Sequence, residues 1–80
     1  MKTIHNKRHK RLVELIIHAR KEAGIRQVQL AKKLKRSQTW IARLESGDRR
    51  IDVIELLDLA DAIGFDALDI LGQLEAKKGH

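Results

Sequence analysis

The chain has 80 residues, with 17 Lys and Arg against 11 Asp and Glu, no Cys, no Pro, and Trp40 and Phe65 as its only aromatics. That length supports one small core and no second domain, and the missing Cys excludes a disulfide framework and a thiolate metal site. No apolar run approaches the ~20 residues of a membrane span and no apolar stretch of a signal peptide opens the chain, so a cytoplasmic protein is expected. Leu, Ile, Ala, Lys, Arg and Glu dominate where a β fold would want Val, Thr, Tyr and Phe, and the fold class expected is all-α.

Residues 1–9 contain the run HNKRHKR and read as a basic N-terminal arm, either solvated or lying along a polyanion. A first helix from about residue 10 to 23 carries Leu12, Leu15, Ile16, Ala19 and Ala23 at 3.6-type spacing and ends at Gly24. Ile25 turns the chain into a second helix, with Val28, Ala31 and Leu34 on its inner side, Leu30 beside them, and a stop near Leu34. Ser37 is placed to cap a third helix beginning at Gln38, from which Ile41 and Leu44 face inward. Gly47 closes that helix, and Asp48, Arg49 and Arg50 form a charged loop. Asp52 with Glu55 makes a capping box for a fourth helix expected to bury Val53, Leu56, Leu57, Ala60 and Ile63 before Gly64. A fifth, capped by Asp66, carries Leu68, Ile70, Leu71 and Leu74. The folded domain is thus expected over residues 10–74, with a polar tail over 75–80.

The break between the second and third helices is so short that the two must cross steeply, as in a helix-turn-helix. At 100° per residue, Thr39, Ala42, Arg43 and Ser46 fall opposite the inward residues, and Gln38 sits at the exposed N-terminal end. Gln pairs in bidentate fashion with adenine and Arg with guanine in the major groove, Thr touches a thymine methyl, and Ala42 permits close approach. Taken alone, this is also what an ordinary solvated helix face looks like. Charge tips the balance. Residues 1–50 hold 15 Lys and Arg against four Asp and Glu, whereas residues 51–80 hold two against seven, so the reading helix lies in the half that attracts a polyanion.

From about Leu12 to Leu71 the chain resembles the Cro/CI-type (Xre-family) helix-turn-helix domains, a compact five-helix fold of phage and bacterial repressors. The resemblance covers about three quarters of the chain. It rests on Arg20 and Gly24 ahead of Gln27, the Leu30-Ala31 pair, Leu34, the Ser37-Gln38-Thr39 start, Ile41, Arg43, the LESG run from Leu44 to Gly47, and LLDLADAIG from Leu56 to Gly64. It implies that Gln38, Thr39 and Arg43 read bases and that Gln27 and Ser37 hold phosphates. It also implies backbone contacts from Ser46, Arg49 and Arg50, and a buried structural pair between Arg20 and Glu45. Independently, helix N-termini at Gln27 and Ser37 offer N–H groups to phosphate oxygens. Ser37 would serve equally as a cap alone, and Arg49 or Arg50 as solvated loop.

Three positions depart from the family pattern. Lys35 stands where a left-handed Gly is usual, at a cost of about 1 kcal/mol. Arg36 replaces an apolar turn residue and reads as a phosphate contact or a solvated cation. Arg26 replaces the usual Ser or Thr cap of the second helix. Trp40 points about 70° from the Ile41/Leu44 axis. It should border core and surface, as a packing residue sooner than as a stacking contact to sugar or partner.

No enzyme is expected. His5, His9, His18 and His80 form no ligand set with carboxylates, and no phosphate loop or nucleophile elbow is present, so no catalytic, metal or cofactor residue is assigned. Two functional classes remain. One is a sequence-specific regulator, in its simplest form a repressor, binding double-stranded DNA as a homodimer on a palindromic operator. The other is an antitoxin that binds a protein toxin and autoregulates its operon, the acidic Leu-rich C-terminal half suiting a dimer or a basic partner. RNA is a weaker third ligand, since its narrow major groove excludes a helix.

Overall fold

Local chemistry accounts for where each helix begins and ends in the computed structural model, which describes residues 6–75. Five helices and no strand occur among the described residues: α1 (Lys7–Glu22), α2 (Gln27–Leu34), α3 (Gln38–Ser46), α4 (Val53–Ile63) and α5 (Ala67–Glu75). Side-chain caps start four of them by occupying the free N–H groups of the first turn. Asn6 Oδ1 accepts the His9 N–H at 2.7 Å, Ser37 Oγ the Trp40 N–H at 3.1 Å, Asp52 Oδ1 the Glu55 N–H at 2.7 Å, and Asp66 Oδ1 the Leu68 N–H at 2.9 Å. The Asp52–Glu55 box is reciprocal, since Glu55 Oε1 accepts the Asp52 N–H at 3.1 Å. At α2, Arg26 supplies no such acceptor, and the compensation comes from Gln29, whose Oε1 takes the Arg26 N–H at 2.8 Å.

The first helix starts earlier than periodicity suggested. Asn6 caps it, so Lys7, Arg8 and His9 belong to α1 and not to a free arm. His9 is buried on the same stripe as Val13, Ile16 and Arg20, and its Nε2 has no hydrogen-bond partner. The expected solvated His9 is therefore corrected; its imidazole continues the inner face of α1 by one turn. Residues 1–5 of the expected arm, His5 among them, and the tail beyond Glu75 lie outside the described residues.

Ile16, Leu30, Ile41, Leu44 and Leu59 are the fully buried large side chains, so α1 to α4 each send at least one residue to a common centre, and α5 adds Ala67 and Ile70. Burying each of the large ones contributes about 1.5–3 kcal/mol before chain entropy is subtracted. Helix α1 packs against α3, α4 and α5, while α2 packs against α3 and α4. This holds α2 and α3 as a rigid pair on the rest of the bundle.

Several apolar assignments need correction. Val28, Val53, Leu57, Leu68 and Leu71 are exposed where burial was expected, Ala23 is exposed as well, and Leu59 and Val13, which were not singled out, are buried. On α2, Val28 and Leu34 lie about 60° to opposite sides of Ala31. Leu30 is on the Leu34 side, so the buried arc turns that way and leaves Val28 outside. On α4 two apolar stripes compete. The one through Leu56, Leu59, Ala60 and Ile63 is buried, and Val53, Ile54 and Leu57 face out.

Candidate nucleic-acid interface

Three residues separate α2 from α3, and the first of them makes the turn. Lys35 adopts φ 57°, ψ 44°, the left-handed conformation that a Cβ disfavours. The Arg36 N–H closes the motif by donating to the Ala31 carbonyl at 2.9 Å. Arg36 is exposed, and Ser37 follows in extended conformation as the cap. Helix α3 ends in the same fashion at Gly47, φ 82°, where the Asp48 N–H reaches the Arg43 carbonyl at 3.3 Å. A side chain is strained at that φ, so Gly is the residue that lets the chain leave α3 sharply.

Ile41 and Leu44 pin α3 to the core, and the opposite side is open: Gln38, Thr39, Ala42, Arg43 and Ser46 are all exposed. Arg43 and Thr39 have no side-chain partner among the described residues. The Ser46 hydroxyl donates to the Arg43 carbonyl at 2.9 Å and keeps its lone pairs available. Arg50 is exposed in the loop before α4. These side chains stand on a convex helix surface; a groove lies elsewhere, between Lys7, Arg8 and Arg11 of α1 and Gln73 and Leu74 of α5.

Beneath this surface runs a hydrogen-bonded network. Arg20 donates from Nε to Glu45 Oε2 at 2.6 Å and from Nη2 to Glu45 Oε1 at 2.9 Å, a bidentate fork between side chains 9% and 7% exposed. Its third donor, Nη1, reaches the Ile25 carbonyl at 2.7 Å and so fixes the entry to α2. Glu45 Oε1 also accepts from Gln27 Nε2 at 2.9 Å, and Gln38 Nε2 approaches Gln27 Oε1 at a longer 3.4 Å. Both carboxylate oxygens are thus satisfied, as a buried charge requires. The network links α1, α2 and α3 through their polar atoms and ends on Gln38. Sequence spacing held no signal for the Gln27 links, because Gln27 lies 18 residues from Glu45 and 11 from Gln38.

Of the residues expected at phosphates, Ser37, Ser46, Arg36 and Arg50 are exposed around the open face, whereas two are engaged within the protein. The Gln27 amide is held by Glu45, which leaves the N-terminal N–H groups of α2 as that position's outward donors. Arg49 Nη2 pairs with Glu55 Oε2 at 2.7 Å, and its guanidinium lies over the Trp40 ring, 4.9 Å from the centroid. Arg36 lies over the same ring at 4.7 Å. Trp40 is half-buried and packs at the rim of the core, where the helical repeat put it.

A family profile described as a helix-turn-helix domain matches residues 11–70. The chain belongs to the helix-turn-helix family. Among solved structures, an XRE-family like protein from Pseudomonas syringae pv. tomato is 45% identical, with a TM-score of 0.86 over 95% of this chain and 93% of that one. No curated protein matches the chain. The all-α, five-helix Xre-type fold that the motifs implied is therefore the fold of this helix-turn-helix protein, a DNA-binding transcription regulator. No described helix is long and apolar enough to cross a membrane.

Proposed function

We propose that this helix-turn-helix protein is a sequence-specific repressor that binds a palindromic operator as a homodimer and acts by occluding the promoter in the cytoplasm. The observation that carries the reading is the open face of α3, where exposed Gln38, Thr39 and Arg43 stand on a helix anchored by Ile41, Leu44 and the Arg20–Glu45 pair. A rigid helix with three base-competent side chains suits the major groove. Gln38, Thr39 and Arg43 read bases, while Ser37, Ser46, Arg36, Arg50 and the α2 terminus at Gln27 line the two flanking phosphate strands, and Arg49, paired with Glu55, holds the loop beside them.

The homodimer is supported by aliphatic side chains that α4 and α5 leave in water: Val53, Ile54 and Leu57, and Leu68 and Leu71. Exposed aliphatics on an acidic half suit an interface between copies. The same observation favours a second reading, an antitoxin whose α4–α5 face takes a basic protein toxin while α3 autoregulates the operon.

The deciding test is selection of bound duplexes from a random library at physiological salt, with the native protein and with the Gln38→Ala/Arg43→Ala double variant in parallel. A palindromic consensus that the double variant loses, while salt-dependent binding to any duplex persists, supports the repressor. A native protein that selects no consensus refutes sequence-specific readout by the free protein and shifts weight to the partner-dependent reading.

A further inference from the structure

We propose that Trp40 is a positioning residue for a DNA-backbone contact made by Arg36, its indole face holding that guanidinium in place beside the first turn of α3. The inference rests on the DNA-binding reading above and deepens it.

Trp40 carries two guanidiniums within 5 Å of its ring centroid, and the two are not equivalent. Arg49 is also tied to Glu55, the residue that closes the capping box at the start of α4. Its charge is compensated, its side chain is 28% exposed, and it joins the loop after α3 to the scaffold through the ring. Arg36 has no carboxylate partner among the described residues and is exposed. Trp40 is therefore braced by Arg49 and Glu55 on the scaffold side, and Arg36 is the uncompensated cation of the cluster.

An exposed Arg on a turn samples many rotamers, and each phosphate contact it makes costs the entropy of choosing one. A guanidinium resting on an aromatic face has that choice largely made. Because the group is planar, stacking occupies its faces and leaves its N–H edge free to donate to phosphate oxygens. The position is apt, since Arg36 immediately precedes Ser37, the cap of α3, where helix N–H groups and the positive dipole end favour the same anion. Trp40 thus acts on DNA through Arg36, without touching a base.

The test is a fluorescence-anisotropy titration of a labelled mixed-sequence duplex between about 50 and 200 mM salt. It compares the native protein with Arg36→Ala, Trp40→Leu, Trp40→Phe and the Arg36→Ala/Trp40→Leu double variant, each checked by thermal melting. Arg36→Ala is expected to reduce the salt slope by about one per bound protomer. Trp40→Leu keeps apolar bulk but removes the π face, and should weaken binding about two- to fivefold in the native background. In the Arg36→Ala background it should change nothing. Trp40→Phe retains a ring and should bind close to the native level.

An equal loss from Trp40→Leu in both backgrounds, or none in either, overturns the positioning role; so does an Arg36→Ala protein with the native salt slope. If Trp40→Leu does not fold, Arg36→Lys asks the same question, since it keeps the charge without the planar stack. It should lose the same two- to fivefold, and native-level binding overturns the proposal. A native protein that gives no anisotropy change at low salt overturns the DNA-binding reading together with this inference. That outcome is distinct from native binding with unaltered variants, which overturns the inference alone.

Discussion

The α2–α3 pair and the α4–α5 pair contrast in how they treat their outward faces. The former presents polar side chains whose bases are tied together beneath the surface, from Arg20 through Glu45 and Gln27 to Gln38. The latter presents Val53, Ile54, Leu57, Leu68 and Leu71 among carboxylates. Order in the first pair comes from directional hydrogen bonds, which orient individual side chains; order in the second comes from burial, which is indifferent to direction. A face that reads needs the first kind of order, and a face that merely adheres can do with the second.

The sharpest way to break the contrast is to cut the network at its hub. Glu45→Ala leaves the Arg20 guanidinium buried without its carboxylate and should destabilise the fold by about 3–5 kcal/mol in urea denaturation. A loss below 1 kcal/mol would mean that the network is not what orders the α2–α3 face.

Next in size is the choice of stripe on α4. Leu59→Ala should cost about 2–5 kcal/mol, whereas Leu57→Ala, on the exposed stripe, should shift the monomer's midpoint little. Equal losses from the two would show that Leu57 is covered in solution, and a sedimentation measurement of mass would say whether by a second copy. The smallest effect is expected at the turn. Lys35→Gly relieves the left-handed strain and should raise stability by about 1 kcal/mol at most, since Gly also loses more entropy on folding. A destabilisation would show that the Lys35 side chain contributes more at the turn than its conformation costs.

Much of this protein was legible in its sequence because caps and turns are written locally. Ser37, Asp52, Asp66 and Gly47 each announce a helix boundary through groups within three residues, and each boundary falls where they place it. The exception shows the limit of the same logic. Asn6 is as good a cap as the others, but the basic run around it read as a solvated arm, and the helix starts three residues before the expected position. The exposed face of α3 was legible too, since a nine-residue helix with Ile41 and Leu44 inward has only one other side to show.

The sequence by itself determined that the chain is helical, where most helices start and stop, that the basic half carries the helix-turn-helix, and which residues of α3 face outward. Those properties depend on neighbours a few residues apart. Only the tertiary structure decided that Leu59 and not Leu57 enters the core, that His9 is buried, that Gln27 links Glu45 to Gln38, and that Arg36 and Arg49 share Trp40. On α4 both stripes have the right period and the right chemistry, so periodicity cannot choose between them. The choice belongs to the helices that pack against it, and with it goes the identity of the apolar face left exposed.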